Sequence, residues 1–333
     1  MFRFTRPSRL LALAAAATMV SLTTALHAAS PAAALAPLPA KQAATYAKDT
    51  ALPGVNADTF ASIVVARGIE YARYGDRALV LDLYLPAERT KAVPCVMVIA
   101  GGGFLAQDTK RFAATAAYLA SRGFAAACIA YRGTPDDTFI ATIHDTKAAV
   151  RWVRANAAAY NIAPARIGAI GQSAGAHLVT MLAVSGDVAE FEGKGGNPTQ
   201  SSRIQAGVSL AGVFDFISRL KDGGHEKHAL AEKRKTNGAW VGVPFSETSE
   251  EWKRASTTSY VTKDDAPVLF VHCHGDVVAP LPQSEQMYAA LKPFAPHSKL
   301  ILYDGGGHGI LRAKGINVKM WEEAIAFFQA ELK

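Results

Sequence analysis

The sequence predicts an α/β protein in which a mostly parallel sheet is covered by helices on both faces. Three observations lead to this prediction. Short apolar runs alternate with longer helix-forming segments from residue 63 onwards. The run 93–100 is continuously apolar, as expected for a central parallel strand. The chain has 333 residues, of which 50% are hydrophobic, so it is long enough for one large domain with a deep core.

The individual elements can be assigned in chain order from these patterns. The predicted strands are 63–66, 70–74, 79–85, 93–100, 124–130, 166–170, 205–210, 267–272 and 299–303. The predicted helices are 110–121, 139–160, 176–183, 281–291 and 318–332. A charged segment with embedded aromatic residues, about 215–258, interrupts the alternation. We interpret it as a small cap lying over the strand ends.

Residues 1–28 have the features of a secretory signal peptide. Three arginines precede the apolar run 10–20, which ends among small residues. The run is short and rich in alanine, so we expect export to the periplasm or the medium, with no stable membrane span after cleavage. An uncleaved anchor is the alternative. Residues 29–55 are expected to be a flexible lead-in to a domain at 56–333.

Charge and cysteine content argue against other classes of protein. The formal net charge is +7, but three of the arginines belong to the predicted signal and the other charges are scattered. A nucleic-acid partner is therefore not expected. Cys95, Cys128 and Cys273 each lie in an apolar strand-like run, which indicates buried thiols rather than a disulfide framework. Cys95 and Cys128 could meet only if their strands are neighbours.

The stretch Gly171-Gln172-Ser173-Ala174-Gly175 lies between a predicted strand and a predicted helix. Strand, Gly-x-Ser-x-Gly and helix together are typical of a nucleophile elbow, a sharp turn that exposes the serine hydroxyl. Glycines suit the crowded flanks of such a turn. The start of the following helix carries partial positive charge and unpaired N–H groups, which favour a developing oxyanion.

A serine nucleophile needs a base, and the base needs an orienting acid. We predict His308 as the base, because it lies in a glycine-rich loop directly after the last predicted strand. We predict Asp276 as the acid, because it follows the preceding strand at the sheet edge where catalytic groups gather in open α/β sheets. Asp215, one strand earlier, is the alternative acid.

The run Ala100-Gly101-Gly102-Gly103-Phe104 follows a predicted central strand. Consecutive glycines let backbone N–H groups face an oxyanion without obstruction by side chains. We therefore predict an oxyanion hole made by the N–H groups of Gly102, Gly103 and Ala174, each contributing roughly 3 kcal/mol to transition-state stabilisation. Residues predicted to line the substrate pocket are Phe104, Leu105, Gln172, Val277 and Ile310.

His272, His274 and Asp276 alternate along the chain, which raises the alternative of a metal site. No fourth ligand has a plausible spacing, and the triad makes better use of Asp276. We therefore expect neither a metal nor another cofactor.

These motifs together resemble those of the α/β-hydrolase superfamily over roughly residues 60–333. The sequence is similar to the hormone-sensitive-lipase-like and BD-FAE-like (bifunctional feruloyl and acetyl-xylan esterase) carboxylesterases in 81–86, in 163–178 around the elbow, and in 272–280. The resemblance implies an α/β-hydrolase fold with an eight-stranded sheet and a small cap insertion. It also places Asp276 on the family's catalytic acid.

Three positions depart from the family pattern. Ala100 replaces a histidine that usually braces the oxyanion loop. His274 replaces the first aspartate of the acid turn, and Cys273 replaces its glycine. None of these changes removes a member of the predicted triad.

The sequence therefore predicts an exported serine hydrolase that acts on carboxylic esters. By analogy, short-chain or polysaccharide-linked acyl esters are the expected substrates. A serine peptidase, an amidase or a lactone hydrolase on the same fold are alternatives. A catalytically silent binding module is the alternative from another class of protein.

Overall fold

The computed structural model describes Met1 and residues 33–221 and 227–333. The predicted signal peptide, residues 1–28, lies outside the described residues apart from Met1. No helix in the described part of the chain is long and apolar enough to cross a membrane.

The described strands form one nine-stranded sheet in the order β1-β2-β3-β5-β4-β6-β7-β8-β9. Pairing is antiparallel from β1 to β3 and between β3 and β5, and parallel from there to β9. The sheet thus has one strand more than the eight that the resemblance implies, and the two-residue edge strand β1 was not predicted. The strands are β1 (Ala36–Pro37), β2 (Ile63–Tyr74), β3 (Arg77–Pro86), β4 (Val93–Ile99), β5 (Ala125–Ile129), β6 (Ile162–Gln172), β7 (Ala206–Leu210), β8 (Val268–Cys273) and β9 (Lys299–Tyr303).

Helices cover both faces of this sheet. The described helices are α1 (Ala40–Tyr46), α2 (Ala113–Ser121), α3 (Phe139–Asn156), α4 (Ala174–Val184), α5 (Ala189–Glu192), α6 (Phe216–Lys221), α7 (Lys227–Val241), α8 (Glu250–Ala255), α9 (Pro282–Leu291) and α10 (Ile316–Glu331). Side chains of β4 alternate between two cores, with Met97 in one and Val98 in the other. One core packs against α3, α4, α9 and the cap, and the other packs against α1, α2 and α10.

Residues 29–32 of the predicted flexible lead-in lie outside the described residues, whereas residues 33–55 differ from that prediction. Residues 36–52 include β1 and α1, and they pack on the sheet. Tyr46 and Leu52 are buried in the core beside α2 and α10, and the indole N–H of Trp321 donates a hydrogen bond to the carbonyl of Ala51 at 2.9 Å. The apolar residues spaced among the alanines stabilise this segment by burial, although the composition is typical of a linker.

The predicted cap corresponds to α6, α7 and α8, which lie between β7 and β8. An aromatic cluster joins it to the body of the domain. The ring of Trp240 on α7 stacks on Phe104, with centroids 3.9 Å apart, and its indole N–H donates to the hydroxyl of Thr142 on α3 at 3.1 Å. Phe216 and His177 pack around the same pair of rings. The cap is therefore anchored directly beside the Gly-Gly-Gly segment.

The cysteines are buried and, within the described residues, free of disulfides. The strands of Cys95 and Cys128 are neighbours, but Cys95 pairs with Ala125 and Cys128 with Val98. The two thiols therefore lie at different levels of the sheet.

Candidate active site

Ser173 lies at the turn between β6 and α4, with backbone angles φ 58° and ψ −121°. Its N–H donates to the carbonyl of Leu210 at 2.9 Å, which ties the turn to β7. A Cβ atom at Gly175 would overlap the carbonyl oxygen of Ile99, so α4 can approach β4 only because residue 175 has no side chain. These contacts hold the hydroxyl in one place at the carboxyl edge of the sheet.

Three predicted catalytic side chains meet at this edge. The Oγ atom of Ser173 lies 2.8 Å from Nε2 of His308, and Nδ1 of His308 lies 2.9 Å from Oδ2 of Asp276. His308 follows β9 and Asp276 follows β8, so parallel strands bring together groups that are far apart in sequence. The side-chain amide of Gln172 donates a hydrogen bond to the carbonyl of His308, which fixes the histidine loop to the elbow.

The carboxylate of Asp276 is buried and fully engaged. Its Oδ1 accepts hydrogen bonds from the N–H groups of Val278 at 2.8 Å and Ala279 at 2.9 Å. Burial alone would raise its pKa, but hydrogen bonds from His272, His308 and the backbone of Ala279 outweigh burial and hold the pKa well below its ordinary value. The group is therefore an anion at neutral pH, as the orienting member of a triad must be.

His272 is a second histidine on the same carboxylate. Its Nε2 lies 3.2 Å from Oδ2 of Asp276 and 2.9 Å from the carbonyl oxygen of Ala279. Both oxygens are acceptors, so Nε2 carries the proton, and Nδ1 accepts from the hydroxyl of Ser284 at 2.7 Å. The chain order pointed to Asp276 but did not predict this support.

The Gly-Gly-Gly segment lies beside the nucleophile. Gly102, Gly103 and Ala174 line the same cavity as Ser173 and His308. This placement favours the oxyanion hole predicted from the sequence, and the role of their N–H groups stays a prediction.

Residues 131 to 134 brace the Gly-Gly-Gly segment, which lacks the bracing histidine of the family at residue 100. The buried hydroxyl of Tyr131 donates to the carbonyl of Ala100, at the start of the loop. At its other end, the carbonyl of Phe104 accepts from the N–H of Thr134 at 3.0 Å. The loop is therefore held at both ends although residue 100 has no polar side chain.

The cavity around Ser173 has a volume of about 900 Å³. Phe104, Leu105 and Gln172 line it, as predicted. Val277 and Ile310 do not. Val277 is 78% exposed at the tip of the acid turn, because the hydrogen bonds from residues 278 and 279 to Asp276 turn the chain back at that point. Ile310 is fully buried in the core beside α10.

Sequence reasoning also missed the polar residues that the cap contributes to the cavity. Arg219 on α6, with Lys233, Thr236 and Asn237 on α7, lines the wall nearest to Val278. From the sequence alone, the basic run that contains Lys233 is most simply interpreted as a solvated helix face. The sequence contains no signal for which side of this short helix faces the cavity.

The structure does not favour the two alternatives, a metal site at His272, His274 and Asp276, or Asp215 as the acid of the triad. His274 is exposed, and its Nδ1 lies 3.3 Å from Asp304 rather than near His272. The described residues contain no group of three or more side chains placed to hold a metal ion. Asp215 accepts from the N–H groups of Ile217 and Ser218, so it begins α6 rather than orienting His308.

Comparison with known proteins supports the same family. The model of the BD-FAE family matches residues 81–291. The chain is 29% identical over 259 residues to a probable isoprenylcysteine alpha-carbonyl methylesterase of Oryza sativa, covering 75% of this chain and 58% of that protein. It is 29% identical over 219 residues to the probable carboxylic ester hydrolase LipM of Mycobacterium tuberculosis, covering 65% of this chain and 49% of that protein. The chain thus spans about half the length of these curated relatives.

Solved structures show the same fold. A truncated carbohydrate esterase from gut microbiota superposes with a TM-score of 0.69 and 27% identity, over 80% of this chain and 95% of that one. A bifunctional GH43-CE protein of Bacteroides eggerthii gives a TM-score of 0.71 and 28% identity, over 81% of this chain and 38% of that one. The predicted α/β-hydrolase fold is confirmed.

Proposed function

Because the chain belongs to the BD-FAE family, we propose that it hydrolyses carboxylic esters with Ser173, His308 and Asp276 as its catalytic triad. The observation that carries the proposal is the unbroken hydrogen-bond chain from the serine hydroxyl through the imidazole to the buried carboxylate, at 2.8 and 2.9 Å. Ser173 and His308 line a cavity that is large enough for a small ester or for the end of a substituted polysaccharide.

In the first half-reaction, Ser173 Oγ attacks the ester carbonyl carbon while Nε2 of His308 takes the hydroxyl proton. The carbonyl oxygen becomes negative and accepts hydrogen bonds from the N–H groups of Gly102, Gly103 and Ala174. Asp276 holds the proton on Nδ1, which selects the tautomer that can accept at Nε2 and stabilises the imidazolium. The imidazolium then protonates the leaving alcohol, and an acyl-serine remains.

In the second half-reaction, water occupies the place of the alcohol. His308 takes a proton from this water as it attacks the acyl carbon, and the same N–H groups bind the second oxyanion. Collapse of the intermediate returns the proton to Ser173 Oγ and releases the carboxylic acid. Apart from the ester and one water molecule, both half-reactions use only groups that the chain supplies.

The relatives named above include a methylesterase and a carbohydrate esterase, which supports ester substrates of modest size or esters attached to polysaccharides. We also propose that the protein is exported, on the strength of residues 1–28. Expression in a Gram-negative bacterium, followed by mass analysis of the periplasmic and cytosolic fractions, tests this. A cytosolic chain that retains residues 1–28 would contradict it.

The activity is tested with p-nitrophenyl acetate and butyrate on the wild type and on Ser173→Ala. We expect the substitution to lower kcat by about 10⁴-fold or more, with an unchanged circular dichroism spectrum. A fluorophosphonate probe should label the wild type and not the variant. Turnover that survives in Ser173→Ala, or failure of both substrates and probe with the folded wild type, would contradict the proposal.

A further inference from the structure

The wall of the active-site cavity is strongly cationic. Within the described residues, its lining includes Arg111, Arg219, Lys233 and Arg312, and no aspartate or glutamate. Arg312 has a partner outside the cavity, since its guanidinium lies 3.2 Å from the carboxylate of Asp49. Among residues 33–221 and 227–333, the other three cations form no ion pair with a carboxylate.

Arg219 is the most deeply placed of these cations. Only 5% of it is exposed. Its guanidinium donates to the side-chain oxygen of Asn237 and to the carbonyl of Val278, both at 3.1 Å. Its Nε–H has no acceptor in the described part of the chain. Both of its acceptors are neutral, so this buried positive charge lies beside the cavity with no carboxylate in direct contact among the described residues.

Lys233 lies one helical turn before Asn237 on α7 and lines the same wall. Burial, and then the neighbouring charge of Arg219, lowers the pKa of its ammonium group, although the charges of Glu232 and Asp276 oppose the effect. The two cations therefore repel each other across this wall. Burial also lowers the pKa of Arg219 to about 10, although the charge of Asp276 opposes the effect.

Asp276 is near enough to act on both cations through its charge, but it has no hydrogen-bond position left for either of them. Its Oδ1 accepts from the backbone of residues 278 and 279, and its Oδ2 is engaged by His308 and His272. No described carboxylate therefore contacts Arg219 or Lys233 directly, and both side chains line a cavity that a ligand can enter. The open space beside Arg219 and Lys233 is the substrate cavity.

We infer that the substrate carries, besides its ester, a carboxylate or phosphate that Arg219 and Lys233 bind at the cap wall. This inference rests on the proposed ester hydrolysis and specifies the chemistry of its substrate. A neutral substrate would displace water from two cations without offering them an opposite charge, whereas an anion would attract both and reduce the repulsion between them. Arg111, whose guanidinium lies beside Gly102, adds a further positive charge near the oxyanion loop.

Lys233 is the better residue to change, because it is only half-buried, whereas Arg219 also holds the acid turn through Val278. The test measures kcat/KM for the wild type, Lys233→Gln and Lys235→Gln. Lys235 is exposed on the same helix and does not line the cavity, so its variant makes the same change in net charge away from the site.

The substrates are chosen to differ in charge. For an anion on the alcohol, 4-acetoxybenzoate and 4-acetoxyphenyl phosphate are compared with neutral 4-acetoxybenzamide, which also separates carboxylate from phosphate. For an anion on the acyl group, the 4-nitrophenyl monoester of adipic acid is compared with the 4-nitrophenyl ester of 6-oxoheptanoic acid. Comparing the anionic-to-neutral ratio between variants cancels the intrinsic reactivity of each ester.

For at least one pair of esters, we expect the ratio of kcat/KM for the anionic ester to kcat/KM for the neutral ester to fall roughly tenfold in Lys233→Gln. In Lys235→Gln this ratio should stay within about twofold of the wild-type value. Added salt should lower the ratio of the wild type for the same pair. An unchanged ratio in Lys233→Gln for every pair, or an equal fall in both variants, would overturn the inference while leaving ester hydrolysis intact. A folded wild type that hydrolyses none of these esters would overturn the proposed function, and this inference with it.

Discussion

Replacing Tyr131 by phenylalanine tests whether the oxyanion loop depends on its new brace. The change removes one hydroxyl, which is buried and donates to the carbonyl of Ala100 directly before the three glycines. No other atom of the side chain is altered. Residue 100 is an alanine and cannot brace the loop with a polar side chain, whereas the Tyr131 hydroxyl holds the carbonyl of Ala100 at the start of the loop.

Two effects are expected from the structure. A buried carbonyl that loses its donor costs about 1–3 kcal/mol of folding stability. The N–H groups of Gly102 and Gly103 also become less well placed, and each donor is worth roughly 3 kcal/mol in the transition state. If half of one donor's contribution is lost, kcat falls about tenfold. KM should change less, because the oxyanion exists only after substrate has bound.

Tyr71→Phe provides the matched control. Tyr71 is equally buried, and its hydroxyl donates to the carbonyl of Ala130 at 2.7 Å rather than to a residue of the glycine loop. The assay is steady-state hydrolysis of p-nitrophenyl butyrate, with urea unfolding of both variants. We expect similar losses of stability, and a loss of kcat in Tyr131→Phe alone. A kcat within twofold of that of Tyr71→Phe would refute the argument that this hydroxyl positions the oxyanion hole.

Two further predictions concern the acid side of the triad. Asp276→Asn should lower kcat by about 10⁴-fold, because an amide no longer selects the His308 tautomer that accepts from serine; a loss below tenfold would contradict the role. Native contacts lower the pKa of Asp276, so its carboxylate adds stability above about pH 4 that is lost as pH falls towards the folded-state pKa. Urea midpoints of wild type and Asp276→Asn should therefore converge below pH 4, and a constant difference would count against this. His272→Asn should lower kcat about tenfold, because the carboxylate of Asp276 loses a hydrogen bond. Ser284→Ala removes only the contact on the other side of the His272 ring, so its loss of kcat should be smaller. Equal losses in the two variants would indicate general disruption of the site.

Much of the fold and the core of the site could be predicted from local sequence rules. The tight turn at Ser173 requires glycine at positions 171 and 175, so five consecutive residues are enough to recognise it in the sequence. His308 and Asp276 could be located because the loops after parallel strands all lie at one edge of the sheet, and chain order then left few candidates. Each of these inferences depends on one residue and its immediate neighbours.

The remaining features depend on contacts between distant segments. The hydroxyl of Tyr131 reaches the carbonyl of Ala100 through the pairing of β4 and β5, and the sequence around residue 131 contains no motif that indicates this contact. Val277 was predicted to line the pocket in place of Val278 because periodicity cannot show which residue of a turn faces inward; the orientation depends on the hydrogen bonds to Asp276. The orientation of α7, and hence the place of Lys233, is set by Trp240 packing on Phe104.

The left-handed backbone at Ser173 has a consequence beyond catalysis. A non-glycine residue in such a conformation lowers the free energy of unfolding by an amount of the order of 1–3 kcal/mol. Serine at position 173 therefore makes the fold less stable than glycine would. Laboratory evolution that selects only for heat tolerance would favour glycine at position 173 and so remove the proposed nucleophile. Any programme of stabilisation should therefore hold this position constant and seek its improvements in parts of the chain remote from the turn.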